Sequence, residues 1–377
     1  MAHSNTIINQ IASFFPRHEF EKLAKIYHTG QKFRVYSRWS QFLAMTMAQI
    51  TGRKSIRDLT SNLQVQRHRL YHLGMRPTSK STLARVNEQQ SYRLYREMFY
   101  VLLAKCRRFA PKHKFNFEGK LYLLDTTTIN LCLSVFQWAK FRQSKGAMKL
   151  HFGLDAGGYL PVFMNMTDGK THEVEWAKKL TLHSGAFVVF DRGFTDYSWY
   201  QKLSDKNITL ITRLKRNAVV YRIGNRRPIK DDSIKSDQKI KLKGIRADFR
   251  LIEFVDKETG KEYQFLTNSM TLDAVEVAAL YKERWQIELF FKWIKQNLKV
   301  KTFLGTSENA VLTQLWIALC VYLLLSFLKF KAQIGASLSA ILRVLQLNMF
   351  ERRSFFELLK PPDQLLPINS QQLLLWN

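Results

Sequence analysis

The chain has 377 residues, room for two or three domains, and 46% of them are hydrophobic, which excludes wholesale disorder. Its 59 Lys and Arg against 30 Asp and Glu leave a net charge of +29 and a pI near 10.1, an excess that points first to nucleic acid and second to an anionic membrane surface. Three widely spaced cysteines (Cys106, Cys132, Cys320) exclude a disulfide framework and a Cys-rich zinc site, and fit a reducing cytosol.

The amino terminus, MAHSNTIINQ, lacks the basic start and apolar core of a signal peptide, so a cytoplasmic protein is expected. Residues 1–118 read as a helical domain. By residue 120 the chain has spent 22 Lys and Arg against 6 Asp and Glu, a surplus of 16. Trp39, Phe42, Leu43, Met47 and Ile50 recur at helical spacing and stop at Gly52. Ser55 caps a second stretch through Leu59, Leu63 and Leu70, closed by Gly74 and Pro77. A third helix starts around Ser79–Thr82 and runs through Leu83, Tyr92, Tyr95 and Met98. Such pieces, with Arg67, Arg69, Arg76, Lys80 and Arg85 near their junctions, suit a helical DNA-reading module. The Lys80-Ser81-Thr82 start would aim backbone N–H groups at phosphates. Solvated faces of a structural bundle are the alternative for any single Arg. His68 and His72 sit four apart with no Cys pair before them, and read as solvated or phosphate-facing rather than as zinc ligands.

Residues 119–215 change period. Strands are expected at Leu121–Leu124, Lys149–Leu154, Leu160–Met166, Ala186–Phe190 and Ile208–Leu214, with helices from Glu173 and over Tyr197–Leu203. Strands interleaved with helices imply an α/β layer with a mixed sheet, and their unbroken apolarity says that both faces are covered. Asp125 ends the first strand and Asp191 the Ala186–Phe190 strand. Carboxylates at neighbouring strand ends can meet at the sheet rim, where they need a cation, and hard oxygen ligands call for Mg²⁺ or Mn²⁺. The alternative is that each Asp starts a turn. Asp155 and Asp168, beside glycines, read as structural. Residues 216–270 read as a β-rich insertion of short pieces (Val219–Ile223, Ile240–Leu242, Phe249–Val255, Tyr263–Leu266).

From residue 271 the chain is helical again, with 271–308 closing the core and 309–377 forming a carboxyl-terminal region. The helix Leu280–Lys295 carries Tyr281, Arg284, Glu288 and Lys295 within about 60° of one another, with Phe290, Trp293 and Ile294 on the other side. That stripe could complete a metal cage and bind phosphate oxygens, or be a solvated face laced by i,i+4 pairs. Trp285, beside it, reads as a core residue. The run Leu315–Leu328 is too short to span a bilayer and reads as a buried core helix. The tail beyond Pro361-Pro362 is short, and its apolar end, Leu373–Trp376, suits docking in cis or in trans.

The ordered set LYLLD (Asp125), VVFDRGF (Asp191) and Tyr-x2-Arg-x3-Glu-x6-Lys (YKERWQIELFFKWIK, with Glu288) resembles the DDE transposases of bacterial insertion sequences, in particular the group founded on insertion sequence four. The resemblance covers essentially the whole chain. It implies a ribonuclease-H-like core whose last acidic residue follows a β-rich insertion, with Asp125, Asp191 and Glu288 as the catalytic and metal-binding acids for two Mg²⁺, Mn²⁺ being able to substitute. Tyr281, Arg284 and Lys295 would position the DNA end, and Arg213 and Lys215 in ITRLKRN match basic positions near the transferred strand. Relatives that cut through a DNA hairpin hold a flipped base on an aromatic residue, which the sequence leaves unassigned.

The activity so implied is cut-and-paste transposition: nicking at the inverted repeats, a hairpin, then attack of the freed 3′-OH on target DNA. Joining two ends in one event calls for a homodimer. A metal-dependent nuclease or resolvase without strand transfer would use the same acids, and a decayed, non-catalytic DNA-binding protein is a third reading. Basic residues dispersed over several elements argue against a membrane-surface helix.

Overall fold

The computed structural model describes residues 5–30, 33, 35–132, 134–136, 138, 140–142, 145–229, 231–300 and 302–359; Pro361-Pro362 and Leu373–Trp376 lie outside the described residues. The chain forms two compact units, residues 1–110 with 294–377, and residues 111–293.

The first unit is helical. Its amino-terminal part holds α1 (Ile7–Ala12), α2 (Arg17–Ile26), α3 (Arg38–Thr51), α4 (Ile56–Val65), α5 (Arg67–Leu70), α6 (Lys80–Gln89) and α7 (Arg93–Arg107). Local chemistry sets the boundaries. The Ser37 and Ser55 side chains cap α3 and α4, and Gly52 ends α3 in the left-handed region at φ 66°. The expected third helix is two, because the chain turns extended at Gln90 before α7 begins.

In the second unit, β1 (Leu121–Leu131), β2 (Lys140–Arg142), β3 (Lys145–Asp155) and β4 (Leu160–Asp168) precede α8 (Glu173–Ala177), β5 (Phe187–Phe190), α9 (Tyr197–Asp205) and β6 (Thr209–Arg213). Then come β7 (Val220–Arg226), β8 (Ile234–Leu242), β9 (Phe249–Val255), β10 (Glu262–Thr267), α10 (Ala274–Glu283) and α11 (Trp285–Asn297). The result is one mixed ten-stranded sheet in the order β2-β3-β1-β5-β6-β10-β9-β8-β7, with β4 also paired to β3.

Three local outcomes depart from expectation. Residues 216–270 supply four strands, but β10 pairs antiparallel with β6, so they extend the main sheet instead of standing apart from it. Asp125 does not end its strand: β1 runs on to Leu131 against β3, while its parallel ladder with β5 stops at Leu124. The acidic helix is broken at Arg284, where N–H groups reach back three residues (Arg284 to Tyr281, Ile287 to Arg284) instead of four. Tyr281 therefore lies on α10 and Glu288 on α11. Asp155 and Asp168 are structural as expected: Asp155 pairs with Lys120 at 3.0 Å and accepts from the Gly157 N–H, and Asp168 accepts from Thr171.

The chain then returns to the first unit with α12 (Glu308–Lys331), α13 (Leu338–Asn348) and α14 (Phe355–Leu358). By length and composition α12 could cross a membrane, yet its apolar stretch is wholly buried inside the unit. It packs against α3 and α7, with Trp316 on Phe99 at 5.3 Å, and is the core helix that an all-round apolar sequence predicts.

Candidate active site

The site grows from the line where the parallel ladder of β1, β5 and β6 stops. The register aligns Leu124 with Phe190 and Val189 with Ile211. Carried one or two residues further, it sets Asp125, Asp191 and Arg213 side by side, on neighbours roughly 4.8 Å apart in such a sheet. The Thr212 hydroxyl, reaching the Asp191 carbonyl at 3.4 Å, ties β6 to that point.

Arg284 closes the arrangement. One guanidinium nitrogen donates to Asp125 Oδ2 at 3.1 Å and another to Glu288 Oε1 at 2.6 Å. Burial is the main reason the Asp125 carboxyl is pushed up to about 7; the charges of Asp191 and Glu288 add to this, while the Thr126 N–H and Arg284 pull it back. Asp191 accepts from the Gly193 N–H at 2.8 Å, which fixes the short 3₁₀ turn Arg192–Phe194. A fourth carboxylate, Glu173 at the start of α8, lies against Gly193, 3.7 Å from Lys149, and burial raises its pKa.

Beside the acids lies a cavity of about 620 Å³ lined in part by Arg213, Phe254, Tyr263, Phe265, Tyr281, Arg284 and Trp285. Arg213 stacks over the Tyr263 ring at 4.9 Å, and Tyr281 meets Phe265 at 5.0 Å. Trp285, expected in the core, is 56% exposed, because the break at Arg284 turns it outward at the start of α11. Lys215 is exposed just beyond β6, and Lys295 follows Glu288 two turns along α11. Lys80 and Arg85 belong to the other unit, exposed on α6, where the Ser79 hydroxyl already takes the Thr82 N–H.

The second unit thus gathers Asp125, Asp191, Glu288, Arg213, Tyr281 and Arg284. Glu173 and Arg192 lie at the same place, and neither is a candidate in the sequence analysis. Arg192 stood within VVFDRGF, and its place next to Asp191 was the available signal.

The donor set fits a divalent cation, because Asp125 and Glu288 already share a positive partner and their oxygens are hard ligands. Among the described residues no three His, Cys, Asp or Glu lie close enough together to hold an ion.

A family profile described as "Transposase DDE domain" matches residues 116–324, and one described as a domain of unknown function matches residues 3–76. The chain is 31% identical over 315 residues to a protein of Sinorhizobium fredii named as a transposase, covering 78% of this chain and 82% of that one. It is 28% identical over 269 residues to a protein of Geobacillus stearothermophilus named as a transposase for insertion sequence element IS5377, covering 69% and 71%. Among solved structures, a piggyBac transposase synaptic complex with hairpin DNA aligns over 97% of this chain and 81% of that one, at 13% identity and a TM-score of 0.44.

Proposed function

The chain belongs to the DDE transposase family, and from that premise we propose that it binds the inverted repeats of its own insertion sequence and moves that element by cut-and-paste transposition. The observation that carries this reading is the register that brings Asp125 beside Asp191, with Arg284 joining Asp125 to Glu288. These acids are the proposed catalytic triad on a ribonuclease-H-like core.

Phosphodiester cleavage and strand transfer share one chemistry, in which an oxygen attacks phosphorus in line and another oxygen leaves. Divalent cations, Mg²⁺ or Mn²⁺, held by Asp125, Asp191 and Glu288 would activate the first oxygen and stabilise the second. The chain's own residues do the rest. Arg213, Tyr281, Arg284, Lys215 and Lys295 hold the DNA end by its phosphates, Arg as a fork and Lys as a point charge. Water performs the first attack, the freed 3′-OH attacks the opposite strand to give a hairpin, and after opening the same hydroxyl attacks target DNA. The exposed Trp285 with Tyr263 and Phe254 forms a surface for a flipped base, since base–aromatic stacking is worth about 1–3 kcal/mol. The amino-terminal helices, with Lys80 and Arg85 on α6, read the repeats, and two copies join two ends.

The test uses purified chain with duplexes that carry the repeats flanking its gene. Asp125→Ala, Asp191→Ala and Glu288→Ala should each lower Mg²⁺-dependent nicking by on the order of 10³ or more while leaving DNA affinity nearly unchanged. Near-normal nicking by any of the three overturns the assignment. Joined product from a pre-cleaved 3′-OH end separates a transposase from a nuclease.

A further inference from the structure

We propose that Arg192, Arg213 and Arg216 form a second basic subsite, beside Asp191, that grips consecutive phosphates of one DNA strand. The inference rests on the transposase reading above and adds Arg192 and Arg216 to the residues that meet DNA.

Three observations carry it. Arg213 ends β6 level with Asp191, Arg192 follows Asp191 directly, and Arg216 comes three residues after Arg213, so all three issue from one stretch of the sheet rim. The Arg192 backbone is fixed by the Gly193 N–H on Asp191 and by the Thr195 hydroxyl, which donates to the Arg192 carbonyl at 2.8 Å. Moreover, these arginines lack what two others of the unit have. Arg250 forks onto Asp237, and Arg284 bridges Asp125 and Glu288, whereas none of the three makes an ion pair among the described residues. The Nε atoms of Arg192 and Arg213 are buried with no hydrogen-bond partner.

Unpaired guanidiniums set close together repel one another and leave donors unsatisfied, a cost that an anion removes. Arg192 lies near enough to Arg213 and Arg216 to feel both charges. A guanidinium fork matches phosphate oxygens, and the Arg213 guanidinium sits over the Tyr263 ring, 4.9 Å from its centroid. A strand passing the ends of β5 and β6 would lay successive phosphates on Arg192, Arg213 and Arg216 and lead its next phosphorus toward the acids. A free phosphate offers the same chemistry at one point only.

The experiment measures the affinity of full-length protein for a mixed-sequence duplex by fluorescence anisotropy, across KCl concentrations and in EDTA so that nothing is cut. Arg192→Gln and Arg216→Gln should each make the log–log salt slope shallower by about 0.9, one phosphate contact apiece. Lys206→Gln removes the same charge from an exposed residue at the opposite end of β6, and should leave the slope as it was. If both arginine variants keep the wild-type slope, or Lys206→Gln flattens it equally, the subsite is refuted. A second arm titrates pyrophosphate alone: binding lost in Arg192→Gln with an unchanged DNA slope would make this a small-anion site and also refute the proposal. A flat wild-type slope would instead sink the transposase reading. Arg216 is exposed, so its variant carries the test alone should Arg192→Gln fail to fold.

Discussion

Asp125 must lose a proton before it can hold a cation, and burial delays that loss to about pH 7. Divalent-cation affinity should therefore climb by up to about tenfold per pH unit below 7 and level off above it, with about one proton released per ion bound at the low end. Calorimetric titration with Mn²⁺ in buffers of different ionisation enthalpy reads both quantities, and Asp125→Asn should abolish the climb. The stability consequence has the same origin. The folded-state value lies above the ordinary 3.8, so Asp125 contributes stability below about pH 4 that is lost as pH rises through 7. His151 acts in the opposite sense: burial, helped by the Lys149 charge, pulls its pKa from 6.5 to about 4, so its contribution is lost as pH falls through that window. Gly193 gives a second prediction at this scale. A Cβ there would overlap Glu173 and come within 3.0 Å of Asp191 Oδ1, so Gly193→Ala should slow nicking tenfold or more, on the order of 1.4 kcal/mol, with a smaller effect on melting temperature. The proposed acids stand out in the sequence because each follows an apolar run or sits on a helical stripe. Arg192 offers only its place after Asp191, and an Arg there looks like any turn residue until the register sets Arg213 beside it.

Among the elements, the break between α10 and α11 governs which side chains face the acids. Glu283, the last residue of α10, is 4% exposed and accepts from the Tyr159 hydroxyl at 2.5 Å and from Lys114 at 2.6 Å. Tyr159 itself sits at φ 53°, an uncommon backbone for a bulky residue. We expect Glu283→Gln to cost about 1–3 kcal/mol, since it removes the charge that Lys114 pairs with and weakens the acceptor for Tyr159. It should also shift the pH profile of cation binding, because Arg284 is the next residue. Denaturant midpoints and the same calorimetric titration check the two effects separately. Sequence periodicity recovered most strands and helices here, for β5 and β9 almost to the residue, because apolar spacing marks a covered strand. It missed the break, because Tyr281, Arg284 and Glu288 keep a helical spacing whether or not the helix is continuous. The outward Trp285 follows from that single turn, and composition gives an aromatic residue no outward signal.

On the scale of the whole molecule, the helical ends of the chain compose one unit, and the sheet unit lies between them in the sequence. Composition showed that both ends are helical, but pairing of distant segments leaves no local periodicity to read. Buried polar groups bind the two ends together. The Gln49 side chain accepts the Lys299 N–H at 2.7 Å, and the Asn309 side chain donates to the Asn87 carbonyl at 2.8 Å. Residues 1–110 expressed alone should therefore lack a cooperative melting transition and bind a hydrophobic dye. Adding residues 294–377 in trans or through a linker should restore the transition, as calorimetry would show.

During synthesis this arrangement imposes a wait. The face of α7 leaves the ribosome about 200 residues before α12 exists to cover it, a delay of roughly 10–40 s at 5–20 residues per second, and the face of α3 leaves earlier still. Over that interval the newborn amino-terminal helices are a substrate for chaperones, and a nascent chain truncated before α12 would aggregate or be degraded.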